Sequence, residues 1–276
     1  MAVKILVSFG ALLMIILFAL LVLRAGDERK VERVWRSLET PSIGGRFSPE
    51  MVSNLPAPAK RYFLHAIKPG TPLASSVILR MKGSIRLKPD AAWMPMQARQ
   101  ILSPPRGFVW RASAGSGLLR ISGADYYLDD MGAIRFHLWG LVPAVKVTGP
   151  DIARSAAGRT AGETFWIPSA LLPGRGVKWE EVDESSARVA VKVGPETVRV
   201  KISVDRDGAC LSVSFQRWGD RTEDGRFDYI PFGGDLSEER TFGGYTIPTT
   251  ISGGWWYGTE HYFEFFRARV ENAEFM

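Results

Sequence analysis

Across residues 75–147, and again across 177–273, apolar and polar side chains alternate at period two, which leaves few folds open to this chain. Val77, Leu79 and Met81 alternate with Ile78, Arg80 and Lys82, and Met94, Met96 and Ala98 alternate with Gln97 and Arg99. Turn signals separate neighbouring runs: Asp129-Asp130-Met131-Gly132, Gly194-Pro195, Asp207-Gly208 and Gly243-Gly244. About a dozen short strands joined this way predict an antiparallel meander. Residues 226–232 and 238–242 are expected to be two of them.

Between the two β-runs lies a different stretch, residues 151–182. It reads as a helix, a break at Pro168, one further turn and a Pro-Gly loop into a strand at Val177. Ile152, Ala156, Phe165 and Trp166 offer an apolar stripe, while Gly158 and Gly162 each weaken the helix by about 1 kcal/mol and allow close approach to a sheet. The fold class expected is mainly β: a strongly curved antiparallel sheet, or half-barrel, with this helix across its hollow. A closed barrel is the alternative, because closure removes edge strands. A second helix is expected after Asn54, with Ala59, Tyr62, Phe63 and Ala66 on one face and Lys68-Pro69-Gly70 ending it.

Ahead of the body, residues 5–23 carry no charge and a single hydroxyl, Ser8. As a helix they span ~28 Å, close to the ~30 Å of a bilayer's hydrocarbon. A signal peptide's apolar core is shorter, and no small-x-small cleavage site precedes Arg24. The expectation is an N-terminal transmembrane helix and a single-pass membrane protein that meets the bilayer through residues 5–23. Val31, Val34, Trp35 and Leu38 then recur at helical spacing, continuing that helix out of the membrane. The divisions expected are an anchor over 1–26, a juxtamembrane helix and linker over 27–49 with a loop at 40–49, and one β-rich domain over 50–276. Five basic residues from Arg24 to Arg36 follow the span and only Lys4 and the α-amine precede it, which by the positive-inside rule places the body in the cytoplasm. A signal-anchor with the body outside is the competing orientation.

The formal charge of +6 comes from scattered Lys and Arg among 29 acidic residues, without a run of like charge. No nucleic-acid partner is expected, since stacking aromatics would need a clustered basic groove beside them. The single Cys210 excludes an internal disulfide and any Cys-based metal site. His65, His137 and His261 lie far apart with no HExxH, and Asp220, Thr222, Asp224 and Gly225 open a calcium-loop pattern that fails at Pro231. Ala114-Gly-Ser-Gly117 lacks the first Gly of a nucleophile elbow, and Gly158 to Thr164 lacks the Gly-Lys-Ser/Thr of a phosphate loop. No cofactor, metal or catalytic residue is therefore expected. Glu163 stands out because Phe165 and Trp166 beside it should be buried. It either points into the hollow or lies on the helix's outer face as a surface acid.

The richest compositional feature is aromatic: 9 Trp, 15 Phe and 7 Tyr, with a Trp in nearly every β segment. Such residues form plain core or line an apolar site. The candidate ligand-binding residues are Glu163, Phe165, Trp166, Trp110, Trp179 and Met96.

Four blocks, Leu55-Pro-Ala-Pro-Ala-Lys-Arg-Tyr62, Gly107-Phe-Val-Trp110, Ala161-Gly-Glu-Thr-Phe-Trp-Ile-Pro-Ser-Ala-Leu-Leu172 and Val177-Lys-Trp179, resemble the recurring blocks of a bacterial domain family of unknown function. That resemblance covers most of the chain from Leu55 and implies no activity. The expected architecture is also similar in outline to periplasmic lipoprotein carriers of the LolA and LppX kind, which implies a bacterial-envelope protein with its body outside the cytoplasm. The function expected is a non-catalytic, membrane-anchored binding domain for a lipid or other apolar small molecule. The alternatives are a hydrolase using a carboxylate such as Glu163, and a structural interaction module with a solid core.

Overall fold

The computed structural model describes residues 2–42 and 44–276. Met1 and Ile43, the latter within the expected 40–49 loop, lie outside the described residues. Helix α1 (Ala2–Leu38) and helix α2 (Ala57–Ala66) precede the sheet. The first meander is β1 (Val77–Ile85), β2 (Met94–Ser103), β3 (Gly107–Ala114), β4 (Ile121–Leu128), β5 (Met131–Leu138) and β6 (Val142–Thr148). Helix α3 (Pro150–Gly162) follows. The second meander is β7 (Lys178–Asp183), β8 (Ser186–Val193), β9 (Glu196–Val204), β10 (Cys210–Gly219), β11 (Asp228–Phe242), β12 (Tyr245–Trp255) and β13 (Phe263–Phe275).

All thirteen strands form one antiparallel sheet in the order β6-β5-β4-β3-β2-β1-β13-β12-β11-β10-β9-β8-β7. The two meanders join through β1 and β13, from Val77 opposite Phe275 to Ile85 opposite Phe266. The first and last strands of the chain thus lie at the middle of the sheet, and β6 and β7, adjacent in sequence, form its two edges. The edges do not pair, so the sheet is a curved open one and the closed-barrel alternative is not realised. The chain must travel from one edge to the other between Thr148 and Lys178. It does so across the hollow, where α3 packs on β4 and β5 of one meander and on β8, β9 and β10 of the other.

The pleat divides the buried residues into two layers. Facing the hollow are Leu79, Phe108, Trp110, Tyr127, Val213 and Phe215, together with Ala156 and Ala161 of α3. On the outer face, Ile78, Ile101, Val109, Ala124 and Tyr126 meet Val31, Trp35 and Leu38 of α1. Residues 31–38 of α1 are therefore part of the body's own core, and each fully buried Val or Leu there contributes roughly 1.5–3 kcal/mol. The same uninterrupted helix runs back to residue 4 with a stretch long and apolar enough to cross a membrane. α2 buries Ala59, Tyr62, Phe63 and Ala66 and packs against β7, β8, β9 and β12.

Two local expectations are corrected. Residues 228–232 and 238–242 belong to one long strand, β11, rather than two, and residues 226–227 precede it. Glu238 sits there at φ 52° and its pairing is interrupted, yet the register is the same from Ser237↔Thr250 to Glu239↔Pro248, so the local kink does not end the strand. The central helix also ends sooner than its apolar stripe suggests. α-Geometry stops at Gly162, and 3-10 turns cover Glu163–Trp166 and Pro168–Leu171. The helix end is pressed onto β10: a Cβ at Gly162 would clash with the edge of the Phe215 ring, so glycine fits there best.

Candidate functional site

The alternation that makes the hollow apolar is broken by a polar residue on each of three strands. Gln100 interrupts the inward series of β2, Asp125 that of β4 and Arg217 that of β10. α3 delivers the complement. Arg159 and Glu163, four residues apart and hence on one helical face, bond each other at 2.7 Å. Arg159 Nη1 also donates to Asp125 Oδ2 at 2.7 Å, and Gln100 Nε2 donates to Glu163 Oε2 at 2.5 Å. Both Glu163 oxygens are thereby engaged as acceptors, which suits a positioning anion better than a group that must exchange protons.

Aromatic rings wall this cluster. The Arg159 guanidinium lies 4.5 Å from the Phe108 ring centre and 5.3 Å from that of Trp110. The Arg217 guanidinium lies 4.7 Å from Phe232 and 5.0 Å from Trp255. Unlike Arg159, Arg217 has no carboxylate within 4 Å among the described residues; its Nε donates to the Ser155 carbonyl at 3.3 Å. Burial, and then the neighbouring Arg159, push its pKa down to about 10, so it remains a cation at neutral pH. Burial raises the Asp125 pKa, with Arg159 and Arg217 pulling the other way. Burial likewise opposes charge on Arg159, but Glu163 and Asp125 outweigh it and leave the pKa above the ordinary arginine value.

The side chains of Arg159, Asp125 and Glu163 keep 14%, 15% and 18% of their surface accessible, which defines a crevice over the cluster. The Trp110 indole N–H is buried beside it with no acceptor. Cavities of about 690 and 730 Å³ lie elsewhere, on the outer face of the sheet and beside the C-terminus.

The six residues singled out from sequence part company here. Glu163 and Trp110 meet around Arg159, with Met96 buried on the same inner face of β2. Phe165 and Trp166 turn away from the crevice. Their ring centres are 4.7 Å apart, Trp166 Nε1 donates to the Pro248 carbonyl at 3.3 Å, and Tyr62 Oη donates to the Phe165 carbonyl at 3.1 Å. Trp179 lies at the far edge, donating to the Leu171 carbonyl at 2.9 Å and packing on Phe63. Sequence reasoning missed Gln100, Asp125, Arg159 and Arg217. The available clue was a polar side chain at an inward register position. Among the described residues, no group of three His, Cys, Asp or Glu is placed to hold a metal ion.

The sequence profile of a family of unknown function, DUF6920, matches residues 53–275. No curated protein shows significant similarity to the chain. Two solved structures overlap its fold loosely. A LolA superfamily protein from Nitrosomonas europaea shares 10% identity and a TM-score of 0.35, covering 80% of this chain and 90% of its own. A domain described as an outer membrane lipoprotein-sorting protein from Vibrio parahaemolyticus shares 9% identity and a TM-score of 0.34, covering 73% and 85%. Overlap at this level assigns neither ligand nor activity.

Proposed function

The chain belongs to DUF6920, whose membership assigns no activity, and we propose that it is a membrane-anchored, non-catalytic binding domain for an elongated apolar molecule with an acidic head. The observation that carries this reading is Arg217, a desolvated cation on an aromatic wall with no carboxylate within 4 Å among the described residues. A fatty-acid-like carboxylate or a phosphate would supply the missing charge, and charge-assisted hydrogen bonds of this kind stabilise by about 1.5–3 kcal/mol. The acyl part would lie along Trp110, Phe232, Trp255 and Met96. The anchor is residues 5–23 of α1, and because the helix continues unbroken into the body's core, the body is held at the membrane surface.

Glu163, Trp110 and Met96 are the ligand-facing residues of this site, and Phe165, Trp166 and Trp179 set the wall behind it. The test is quenching of tryptophan fluorescence by a dibrominated fatty acid, with the full-length delipidated protein in nanodiscs. Saturable quenching is expected, reduced in Trp110→Phe and shifted to about tenfold higher ligand concentration in Arg217→Gln. Quenching that never saturates and is unchanged in both variants would sink the reading.

A further inference from the structure

The outer face of the sheet carries a second arrangement that the apolar hollow does not explain. Strand register places Arg80 of β1 opposite Arg99 of β2, and Arg99 opposite Arg111 of β3. The same row continues through Ala124 of β4 to Arg135 of β5 and Lys146 of β6. Like charges directly opposite one another on neighbouring strands destabilise a sheet, so a row of them calls for an anion.

α1 supplies part of the answer. Asp27 pairs with Arg135 at 2.5 Å and Glu32 with Arg111 at 2.8 Å, while Trp35 lies under the Arg99 guanidinium at 4.7 Å. The compensation is incomplete. Arg80 and Arg99, with Arg24 at the start of the groove, have no carboxylate within 4 Å among the described residues. The Nε atoms of Arg111 and Arg135 are buried with no acceptor among the described residues, and Arg135 as a whole is 8% exposed. These groups line a groove of about 690 Å³ between α1 and the sheet. Six Lys or Arg (Arg24, Arg80, Lys82, Arg99, Arg111, Arg135) face Asp27, Glu28 and Glu271, and counting Glu32 still leaves two positive charges in excess.

Position identifies the occupant. The groove begins at Arg24, the first charged residue after the apolar span, and runs along α1 to Val31, ~10 Å of helix. The headgroup layer of a bilayer leaflet is about 5–8 Å deep. At the Arg24 end, the β5–β6 turn sets Gly140 against the Arg24 guanidinium. Beside it, Leu118, Leu119 and Trp139 are 81%, 71% and 58% exposed, held together by a Trp139 Nε1 bond to the Leu118 carbonyl at 2.8 Å. Exposed Leu and Trp at the end of a spanning helix are suited to the membrane interface.

We propose that this groove binds the phosphate of a membrane phospholipid headgroup, with the acyl chains leaving past Leu118, Leu119 and Trp139. The inference rests on α1 crossing the membrane but not on any ligand in the hollow. Arg80 and Arg99 hold the phosphate, with Arg111 and Arg135 lining the same groove.

Native mass spectrometry of the full-length protein in non-ionic detergent tests it, with dioleoyl phosphatidylglycerol, dioleoylglycerol and inorganic phosphate as separate probes. One phosphatidylglycerol should be retained where dioleoylglycerol is not. The double variant R80Q/R99Q should weaken that retention about tenfold, and R80K/R99K should restore most of it. Equal retention of the phosphate-free lipid, or no change in R80Q/R99Q, overturns the proposal. Displacement of the lipid by an equal concentration of inorganic phosphate overturns the lipid as its source. Loss of this adduct in R217Q, with R80Q/R99Q unaffected, would assign it to the hollow and overturn the groove.

Discussion

The two faces of the one sheet each receive a helix whose charged residues meet charged residues of the strands, yet they solve the problem differently. On the inner face, α3 brings an arginine and a glutamate together, and three strands each contribute one polar residue. Arg159, Asp125, Glu163 and Gln100 close into a compact network with side chains 14–18% accessible around its ion pairs. On the outer face the strands bring a row of cations, α1 brings fewer anions than the row needs, and the Glu32–Arg111 pair stays 42% and 33% exposed. The difference teaches that charge on a sheet is structural where each group has its partner, as in Arg159, Asp125 and Glu163, and available for binding where a cation is left over, as at Arg217 and along the outer row.

The comparison breaks most visibly at Arg159. Arg159→Met should leave Asp125 and Glu163 facing each other without a cation, and breaking a buried pair in this way costs roughly 3–5 kcal/mol. Chemical unfolding of the full-length protein in detergent measures the loss; a cost below about 1 kcal/mol would place the inner network in the same class as the outer one. Next is Gly162→Ala, which forces a methyl group into the Phe215 ring and should cost about 1–3 kcal/mol by overpacking, read from the same unfolding curves. A neutral result would mean that α3 already stands away from β10.

Smallest is Glu32→Gln on the outer face, where an exposed pair is worth at most about 1 kcal/mol. Its sharper consequence is with pH. A hydrogen bond from Arg36, and then contacts with Arg111, hold the Glu32 carboxyl below its usual pKa. The folded-state value is depressed, so the contribution is present above the unfolded value near 4.5 and is lost as pH falls through the lower folded value. Amide protection factors over residues 31–38, corrected for the intrinsic slowing of exchange in acid, should therefore fall in wild type below about pH 4.5 and show less of this acid dependence in Glu32→Gln. Identical pH profiles would show that apolar packing by Val31, Trp35 and Leu38 alone fixes α1.

Much of the fold is legible in the order of residues because alternation and turn chemistry are local. The Asp129-Asp130 turn takes positive φ at both residues, and the Asp205 carboxylate caps the Asp207-Gly208 turn by accepting from the Asp207 and Ala209 amides. Helical spacing at Val31, Trp35 and Leu38 likewise marks residues that the body buries. The candidate site is less legible. Glu163 stands out by its neighbours, but Asp125, Gln100 and Arg217 lie 38, 63 and 54 positions from it in sequence and meet it only when two meanders curl around α3. Phe165 and Trp166 mislead because a helical stripe is a statement about one continuous helix, and the helix ends before them.

The sequence by itself determined that the chain begins with a long apolar segment, continues as an antiparallel meander and is interrupted once by a helix, since each rests on periodicities that a few neighbouring residues express. Only the tertiary structure decided which charges share a space. Arg80, Arg99 and Arg111 read as isolated surface cations, and become a row because hydrogen-bond register aligns three strands. Register is set by the sheet's two buried faces together, and no single strand encodes it.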